Sequence, residues 1–547
     1  MSDEPAQKKA KVERKDDLQP TSGFVDAMLT DMYQISMGYA YWNTGRTEEP
    51  SVFDLFFRDH PFKGEFTIFA GLEECLRFIA TFGFNEENIA YLKRMHPTWK
   101  AGYFDYLAKV DCSQVRVYAL EEGSVCIPRV PLLRIEGPLG VCQLLETTLL
   151  VLVNFASLIA TNAARHRLAA GPGKHLLEFG LRRAQGPDGA MSASRYAYMG
   201  GFDGTSNVKA GQVFGMDVKG THAHSFVVSF TGLGELKSNS ITTAEGKEVD
   251  FVRMVTQYRE KLHPGTNEGE LAAFIAYAQA YPSGTLCLID TYDTLASGCW
   301  NYLFVALALH DCGYKALGVR LDSGDLAYLS KECRNRFTEI GKQFGISYFE
   351  GFNIVASNDL SENVLWSLKE QGHEIDTFGI GTNLVTCKAQ PALGCVYKLV
   401  EINGKPRIKI SQDVAKVTIP GKKEAFRLRD AKGKPLLDLL LDASADEKPQ
   451  AGQRLLCRHP FSASKRAFVT PSSVESLHKL VWDCGKLVQP FPSLQQLKKR
   501  AETQLASFRE DHLRRLNPTP YKLSLSSKLY DFMHNLWLSE SPISELA

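Results

Sequence analysis

Apolar and polar residues follow two periods along the middle of this chain. Short apolar runs that end in a polar or glycine-rich segment are typical of buried parallel strands, and apolar residues three and four apart are typical of helices. The runs predict strands at 175–179, 286–289, 316–320, 353–356 and 377–380, and the helical spacing predicts helices at 192–198, 271–280, 295–309, 326–344 and 362–370. This alternation favours an irregular parallel α/β barrel over an open sheet.

The segments on either side of this region have a different pattern. Before it, helices are predicted at 24–42, 66–82 and 139–167, and strands at 52–58, 115–120 and 132–135. After it, a hairpin is predicted around Asn403–Gly404 with strands at 397–402 and 407–410, followed by amphipathic helices at 494–516 and 528–538. We therefore divide the chain into a disordered tail at 1–22, an α/β domain at 23–160, the barrel at 161–400 and C-terminal segments at 401–547.

Length and composition agree with a soluble protein of two or three domains. The chain has 547 residues, 44% of them hydrophobic, and a formal net charge of +1, which argues against a dedicated nucleic-acid or membrane-surface binder. The 12 cysteines form no CxxC pair and no zinc spacing, and the N-terminus lacks a secretory signal, so we expect free thiols in a reducing, cytosolic compartment.

Two segments have competing interpretations. Residues 144–164 are apolar enough to resemble a membrane span, but Glu146 and Asn154 interrupt them and favour a buried helix. The tail contains a basic cluster at 8–15, which is either a nuclear-import signal or an ordinary solvated run.

The sequence RLDSGD at 320–325 carries the strongest chemical signal. It follows a predicted strand and precedes a predicted helix, which in barrel enzymes is the catalytic face. Arg320 suits phosphate oxygens, and Asp322 and Asp325 suit a metal ion or sugar hydroxyls. The alternative is a capped helix with a surface ion pair.

Two segments could recognise an anion. Arg182 and Arg183 follow the strand at 175–179, where paired guanidinium groups suit a carboxylate or phosphate, although surface arginines are the alternative. The glycine-rich segment at 200–207 contains Ser206 and could bring backbone N–H groups to a ligand, although a simple turn explains it as well.

A histidine pair and an aspartate extend the set. His222 and His224 are two residues apart, and because no acidic or cysteine partner stands at zinc spacing, a reactive histidine is the better functional interpretation. A core or loop histidine is the default without further context. Asp290 ends a predicted strand and could orient a histidine or bind a ribose hydroxyl, whereas Asp293 is the better N-cap for the next helix. Thr221 precedes the pair.

The last barrel loops predict a phosphate site. Ser357 and Asn358 follow one strand, and Gly381 and Thr382 follow the next. Late loops of barrels often bind a phosphate monoester through backbone and hydroxyl donors, although an ordinary glycine turn is the alternative here.

Taken together, these motifs resemble the nicotinate phosphoribosyltransferase family. The resemblance runs from about residue 29 into the C-terminal region and rests on TDMYQ at 30–34, the helix from 145 to 165, FGLRRAQ at 179–185, GTHAHS at 220–225, DTY at 290–292, RLDSGD at 320–325 and GIGT at 379–382. It implies an irregular (type II) α/β barrel, a second α/β domain built from N- and C-terminal segments, and a homodimer with its active sites at the subunit interface. It also implies transfer of a phosphoribosyl group to nicotinate, coupled to ATP hydrolysis and dependent on Mg²⁺ or Mn²⁺.

The resemblance also implies residue roles. His224 is expected to be transiently phosphorylated by ATP and Asp290 to support it, while His222 is expected to be dispensable. The substrates are expected to contact a larger set: nicotinate with Phe179, Arg182, Arg183 and Tyr33 of the partner subunit; pyrophosphate, ribose and metal with Arg320, Asp322 and Asp325; and the 5-phosphate with Ser357, Asn358, Gly381 and Thr382.

Three alternatives remain at this point. A nicotinamide phosphoribosyltransferase would need a carboxylate near the ring substituent, where Ser206 is uncharged beside two arginines. A quinolinate enzyme would need more basic groups and a decarboxylation step. A ligand-binding relative without catalysis would not need intact His224, Asp290, Arg320 and Asp322.

Overall fold

The computed structural model describes residues 18–411 and 416–543. Most of the predicted tail, including its basic cluster, lies outside the described residues. The chain forms two compact units, one at Asn162–Ala389 and the other made from the chain before and after it. One helix, α6 (Glu146–Ala170), begins in the second of these units and ends in the first.

The unit at Asn162–Ala389 contains a six-stranded parallel sheet with the order β10-β11-β12-β13-β6-β7. Its strands are β6 (His175–Glu178), β7 (Gly204–Thr205), β10 (Leu286–Leu288), β11 (Gly318–Leu321), β12 (Asn353–Ser357) and β13 (Thr377–Ile380), with a separate hairpin of β8 (Ser240–Thr242) and β9 (Glu248–Asp250). The strand order departs from the chain order, since β13 pairs with β6, and the described sheet has β10 and β7 at its two edges. Thr205 forms a further parallel bridge with Val218. This is the curled half-barrel of an irregular α/β barrel, and it confirms the predicted fold class.

Five of the α-helices described in this unit correspond to predicted helices, and the other four were not predicted. In chain order, the described helices are α7 (Gly186–Met199), α8 (Val208–Phe214), α9 (His224–Val228), α10 (Phe251–Leu262), α11 (Glu268–Ala280), α12 (Cys299–Asp311), α13 (Leu326–Phe344), α14 (Glu362–Gln371) and α15 (Thr382–Thr386). The predicted helix at 295–309 instead starts as a π-helical turn at Thr294–Gly298. Gly318 is required at the start of β11, because a Cβ there would lie 1.9 Å from the carbonyl oxygen of Asn353 in the next strand.

The other unit is built on mainly antiparallel sheets, with one parallel strand pair among the described residues. A seven-stranded sheet has the order β15-β14-β1-β5-β3-β21-β22, a six-stranded sheet has the order β19-β18-β23-β17-β16-β20, and β2 pairs with β4. The strands are β1 (Pro50–Phe57), β2 (Thr67–Ile68), β3 (Arg116–Ala119), β4 (Val125–Cys126), β5 (Leu133–Pro138), β14 (Cys395–Ile402), β15 (Lys405–Pro406), β16 (Lys423–Arg429), β17 (Pro435–Asp442), β18 (Leu455–Arg458), β19 (Arg466–Val469), β20 (Ser473–Ser476), β21 (Lys479–Asp483), β22 (Lys486–Leu487) and β23 (Leu523–Leu525). N- and C-terminal strands share the first sheet, since β1 pairs with β14 and β3 with β21.

Several predicted boundaries in this unit are wrong. Its helices are α1 (Met32–Asn43), α2 (Leu72–Thr81), α3 (Glu86–Met95), α4 (Ala101–Leu107), α5 (Leu139–Leu144), α16 (Leu494–Ser507) and α17 (Ser527–Glu540), with α6 at Glu146–Ala170. The predicted helix at 66–82 is strand β2 followed by α2, because Gly71 takes a left-handed φ of 96° that separates them. The strand at 407–410 is absent from the described hairpin, in which β14 pairs with β15 across Asn403–Gly404.

Helix α6 is a core helix. It is long and apolar enough to cross a bilayer, but 67% of its most apolar 18-residue window is buried inside the protein. The 12 cysteines all lie in the described residues and are free thiols.

Candidate active site

A cavity of about 400 Å³ opens at the carboxyl ends of the parallel strands. All of its lining belongs to the unit at Asn162–Ala389, and it brings together most of the predicted site residues: Phe179, Arg182, Arg183, Ser206, Thr221, Arg320, Asp322, Ser357, Asn358, Gly381 and Thr382. Segments up to about 200 residues apart in sequence therefore meet at one edge of the sheet, as expected for a parallel barrel.

Arg320 is the centre of a hydrogen-bond network in this cavity. Its Nε donates to Ser357 Oγ at 2.8 Å, and its two Nη atoms lie 3.3 Å from Thr221 Oγ1 and 3.2 Å from Asp322 Oδ1. Ser357 Oγ also donates to Asp322 Oδ1. The guanidinium is therefore oriented before any ligand binds, which reduces the cost of ordering it around an anion.

His224 begins α9 at the edge of the same network. Its Nδ1 lies 3.1 Å from Thr291 Oγ1, while its Nε2 lies 3.7 Å from Asp322 Oδ2 and 4.0 Å from Asp290 Oδ1. The His224 side chain is 44% exposed, so a ligand can reach it. The structure thus places a reachable imidazole beside two carboxylates.

Of the two carboxylates beside His224, Asp290 is the more deeply buried. Its Oδ2 accepts hydrogen bonds from the Asp322 N–H at 3.0 Å and the Ser323 hydroxyl at 2.5 Å, which ties β10 to the loop after β11. Its Oδ1 is buried and has no hydrogen-bond partner among the described residues. A buried carboxylate oxygen without a donor is costly, so it suits a cationic or metal partner.

Arg182 and Arg183 lie on a short 3₁₀ turn after β6, and both are exposed. Within the described part of the chain, no ion pair joins either side chain. The turn is fixed by a residue that the sequence reasoning missed, Glu178, whose buried carboxylate accepts from the Gly180 N–H and from the hydroxyls of Ser194 at 2.8 Å and Thr205 at 2.6 Å. The sequence could have indicated Glu178, because it is an acidic residue at the end of an otherwise apolar strand.

Phe179 packs tightly against strand β13. A Cβ at Gly379 would lie 2.4 Å from two ring carbons of Phe179, so only glycine fits there. The Arg320 guanidinium lies 5.7 Å from the centre of the same ring. In the loop after β12, Asn358 and Asp359 have left-handed φ values of 124° and 42°, a form of backbone strain that is concentrated at functional sites.

Four predicted residues are not part of the cavity lining, and the first is His224, described above. Asp325 caps α13 by accepting the Tyr328 N–H at 3.0 Å, which is the capping alternative named above. Tyr33 lies in α1, in the other unit, and is 46% exposed. Asp290 borders the cavity through its contacts with Asp322.

The contacts of His222 indicate a structural role. Its Nε2 accepts the N–H of Leu288 at 3.2 Å, and its ring packs against Phe226, Phe274 and Tyr277. Burial lowers the pKa of His222 to about 4, so the ring is neutral at physiological pH. It therefore supports the β10 backbone rather than carrying charge.

A second buried carboxylate was also missed, because an acidic residue within the apolar helix α11 resembles a surface position. Glu270 Oε2 accepts from Ser297 Oγ at 2.6 Å and Asn301 Nδ2 at 2.9 Å, which anchors the π-helical turn after Asp290. Burial raises the pKa of Glu270 to about 7, with a smaller contribution from Asp290 in the same direction.

The acidic residues fit a magnesium ion that also binds substrate. Among the described residues, no group of three or more histidine, cysteine, aspartate or glutamate side chains could hold a metal by itself. Magnesium typically keeps several waters and uses one or two carboxylates with substrate phosphates. Asp290 Oδ1, which accepts no hydrogen bond in the described residues, and Asp322 Oδ2 match that donor set, since both lie within 4.0 Å of His224 Nε2.

Comparison with known proteins agrees with this geometry. Residues 174–437 match the model of the "Nicotinate phosphoribosyltransferase (NAPRTase) family", and residues 28–154 and 422–533 match its N- and C-terminal domain models. A nicotinate phosphoribosyltransferase of Dictyostelium discoideum is 56% identical over 98% of this chain and 92% of its own length. The nicotinate phosphoribosyltransferase of Homo sapiens is 45% identical over 94% of this chain and 97% of its own length. The crystal structure of the human nicotinic acid phosphoribosyltransferase superposes with a TM-score of 0.83 at 43% identity, covering 93% of this chain and 99% of that one. The chain belongs to the nicotinate phosphoribosyltransferase family.

Proposed function

We propose that this chain transfers the phosphoribosyl group of 5-phosphoribosyl 1-pyrophosphate to nicotinate, giving nicotinate mononucleotide and pyrophosphate, a step of NAD synthesis. The ring nitrogen of nicotinate forms a bond to the anomeric carbon while the carbon–oxygen bond to pyrophosphate breaks, and pyrophosphate leaves with the electron pair. The observation that carries the proposal is the preoriented Arg320 network with Asp322 and Ser357 in the same cavity as two exposed arginines.

The exposed arginines explain why the site would bind nicotinate, a carboxylic acid, in preference to its amide, nicotinamide. Nicotinate carries a carboxylate, which a guanidinium fork binds through two hydrogen bonds, and Arg182 and Arg183 have no competing ion pair in the described residues. Ser206 lines the cavity with an uncharged hydroxyl. Phe179 offers a ring against which the pyridine can stack, and Tyr33 would stack from the partner subunit.

Arg320 and the neighbouring carboxylates would serve the leaving group. Negative charge develops on pyrophosphate as the bond breaks, and a preoriented guanidinium stabilises that charge without reorganisation. Mg²⁺ or Mn²⁺, held by Asp322 with Asp290 or Asp325, would neutralise phosphate charge when bound. Ser357, Asn358, Gly381 and Thr382 supply hydroxyl, amide and backbone donors for the 5-phosphate.

ATP coupling would proceed through His224. The imidazole nitrogen would take the γ-phosphoryl group of ATP, with ADP as the leaving group, and Thr291 would orient the ring through Nδ1. A phosphate on His224 would add negative charge beside Asp290 and Asp322, so it would change the electrostatics of the pyrophosphate site. A homodimer fits the expected contribution of Tyr33 from a partner, and a cytosolic location fits the free thiols.

The substrate assignment is tested by measuring mononucleotide formation from nicotinate and nicotinamide, with magnesium and with or without ATP. We expect turnover with nicotinate, raised by ATP, and a loss of at least tenfold in kcat/KM for Arg182→Ala and Arg183→Ala. Arg253→Ala is the matched control, since Arg253 is exposed in α10 of the same unit. Preference for nicotinamide would contradict the two-arginine pocket, and no turnover with either would favour a ligand-binding role.

The ATP assignment has its own test. His224→Ala should abolish ATP hydrolysis and acid-labile labelling from γ-labelled ATP without changing the oligomeric state. His222→Gln is the control, because glutamine can still accept the Leu288 N–H. Persistent hydrolysis in His224→Ala would remove the phosphohistidine from the proposal.

A further inference from the structure

Helix α11 supports both partners of the hydrogen bond between His224 Nδ1 and Thr291 Oγ1. On the histidine side, the start of α11 packs directly against the backbone that follows α9, since a Cβ on Gly269 would lie 2.3 Å from the Phe230 carbonyl oxygen. His224 is the first residue of α9. The packing of α11 therefore limits the movement of the short helix that carries the imidazole.

The threonine side is supported by the π-helical turn after β10. The Asp293 carbonyl oxygen accepts the N–H groups of Ser297 at 3.1 Å and Gly298 at 2.9 Å. A Cβ on Gly298 would lie 1.9 Å from the Ile289 carbonyl oxygen, so the turn closes directly onto the end of the strand. The short loop between β10 and the turn, which carries Thr291, is therefore held at both ends. Such π turns are rare and are frequently found at functional sites.

Glu270 anchors this turn to α11. Its Oε2 accepts hydrogen bonds from Ser297 Oγ at 2.6 Å and from Asn301 Nδ2 at 2.9 Å. Ser297 Oγ in turn accepts the Asn267 N–H at 3.0 Å. Glu270 and Asn301 are fully buried and Ser297 is 6% exposed, so water does not compete for these bonds. One carboxylate thus connects the helix that supports His224 to the turn that supports its hydrogen-bond partner.

Asp290 lies in the same loop but has its own support. Its Oδ2 accepts the Asp322 N–H at 3.0 Å and the Ser323 hydroxyl at 2.5 Å, and both donors belong to the loop after β11. The side chain of Thr291 has one hydrogen bond among the described residues, which is the bond to His224. A shift of the π turn would therefore displace Thr291 more readily than Asp290.

We propose that Glu270 is a positioning residue for the reactive histidine: through the π turn it places Thr291 and so sets the orientation of the His224 ring. This role rests on the proposed phosphorylation of His224. Phosphoryl transfer needs the accepting nitrogen in line with the bond that breaks, and a displacement of about 1 Å can lower a rate about 100-fold. A buried anchor on both sides of the ring provides that precision.

The experiment measures ATP hydrolysis and acid-labile labelling of the full chain from γ-labelled ATP. Glu270→Ala and Ser297→Ala should each lower kcat for ATP hydrolysis about tenfold or more, while the KM for nicotinate stays within about twofold. Glu270→Gln should stay within about threefold of the wild type, because its amide oxygen can still accept from Ser297 and Asn301. The amide nitrogen would replace Oε1, which accepts no hydrogen bond in the described residues.

Ser330→Ala is the matched control. Ser330 is fully buried in α13, and its hydroxyl, like that of Ser297, donates to one oxygen and accepts one backbone N–H. This variant should keep kcat for ATP hydrolysis within about twofold. Each kcat is counted per folded molecule from the circular dichroism signal at the assay temperature, so a loss of stability alone does not imitate the expected effect.

A double-mutant cycle with Thr291→Val tests whether Glu270 acts through Thr291. In the Thr291→Val background, Glu270→Ala should lower kcat for ATP hydrolysis by less than about twofold, because the contact that it positions is already absent. A further loss of about tenfold in that background would overturn the proposal. Wild-type kcat in both Glu270→Ala and Ser297→Ala would overturn it as well.

His224→Ala distinguishes failure of this proposal from failure of the proposed function. If His224→Ala abolishes ATP hydrolysis and Glu270→Ala leaves it unchanged, the positioning role alone is refuted. If ATP hydrolysis persists in His224→Ala, the phosphohistidine is removed from the proposed function, and the positioning role of Glu270 is refuted with it.

Discussion

Glu178 offers the most informative single perturbation of the site. Its side chain is 1% exposed, and no lysine or arginine in the described residues lies within ion-pair distance of it. Its charge is instead balanced by the Gly180 N–H and by the hydroxyls of Ser194 and Thr205. Hydrogen bonds to a charged group contribute about 1.5–3 kcal/mol each, so this carboxylate depends on all three donors.

Glutamine and alanine at position 178 should have different effects. In Glu178→Gln the amide oxygen can still accept the Gly180 N–H, and the amide N–H₂ can donate to the two hydroxyls, because Ser194 Oγ has an alternative acceptor in Ala190 O at 3.1 Å. We expect a loss of about 1–2 kcal/mol in the free energy of unfolding, because hydrogen bonds to a charged carboxylate are replaced by hydrogen bonds to a neutral amide. Glu178→Ala leaves the Gly180 N–H unpaired and creates a cavity, so we expect a loss of about 3–5 kcal/mol.

The same substitutions should affect catalysis through the turn at Leu181–Arg183. Because Gly180 precedes that turn, a shift in its backbone moves Arg182 and Arg183, and the KM for nicotinate should rise more than kcat falls. Urea unfolding and steady-state kinetics measure the two effects, with Glu374→Gln as a control at a carboxylate that is 53% exposed. Equal stability of the glutamine and alanine variants would refute the hydrogen-bond argument, and an unchanged KM would refute the positioning argument.

Three further predictions use the same assays. Burial raises the pKa of Glu270 to about 7, so the stability that this carboxyl contributes is complete below its ordinary pKa of 4.5 and is lost as the pH rises through 7. Glu270→Gln should therefore remove about 3 kcal/mol of the pH dependence of the unfolding free energy between pH 4.5 and 8. Parallel curves of unfolding free energy against pH for the two proteins would contradict this. Gly379→Ala places a Cβ 2.4 Å from the Phe179 ring and should raise the KM for nicotinate, whereas Gly351→Ala, with open space around it, should not. His222→Leu leaves the β10 backbone N–H unpaired and should cost about 1–3 kcal/mol in unfolding free energy while kcat per folded molecule is retained, and His222→Gln should cost less.

Some features of this protein follow from local sequence alone. The pattern of apolar residues identified five of the six parallel strands in the described residues within about two residues, because short apolar runs differ from the helical spacing of apolar residues. Strand β7, which has two residues in a glycine-rich segment, was missed. The position of Arg320 and Asp322 at a strand end was equally local, since a short apolar run before them and a capped helix after them leave no other arrangement. The turn at Asn403–Gly404 followed from two residues that tolerate left-handed backbone.

Other features depend on contacts between distant segments, which the sequence pattern does not encode. The bond between Asp290 and the Asp322 N–H exists because β10 lies beside β11, and the bond between Glu178 and the Thr205 hydroxyl exists because β6 lies beside β7. The helix predicted at 66–82 was divided by Gly71, whose Cβ would lie 2.3 Å from the Leu152 carbonyl oxygen in α6. Periodicity determines which face of an element is buried, whereas strand order and close packing decide which side chains meet on it.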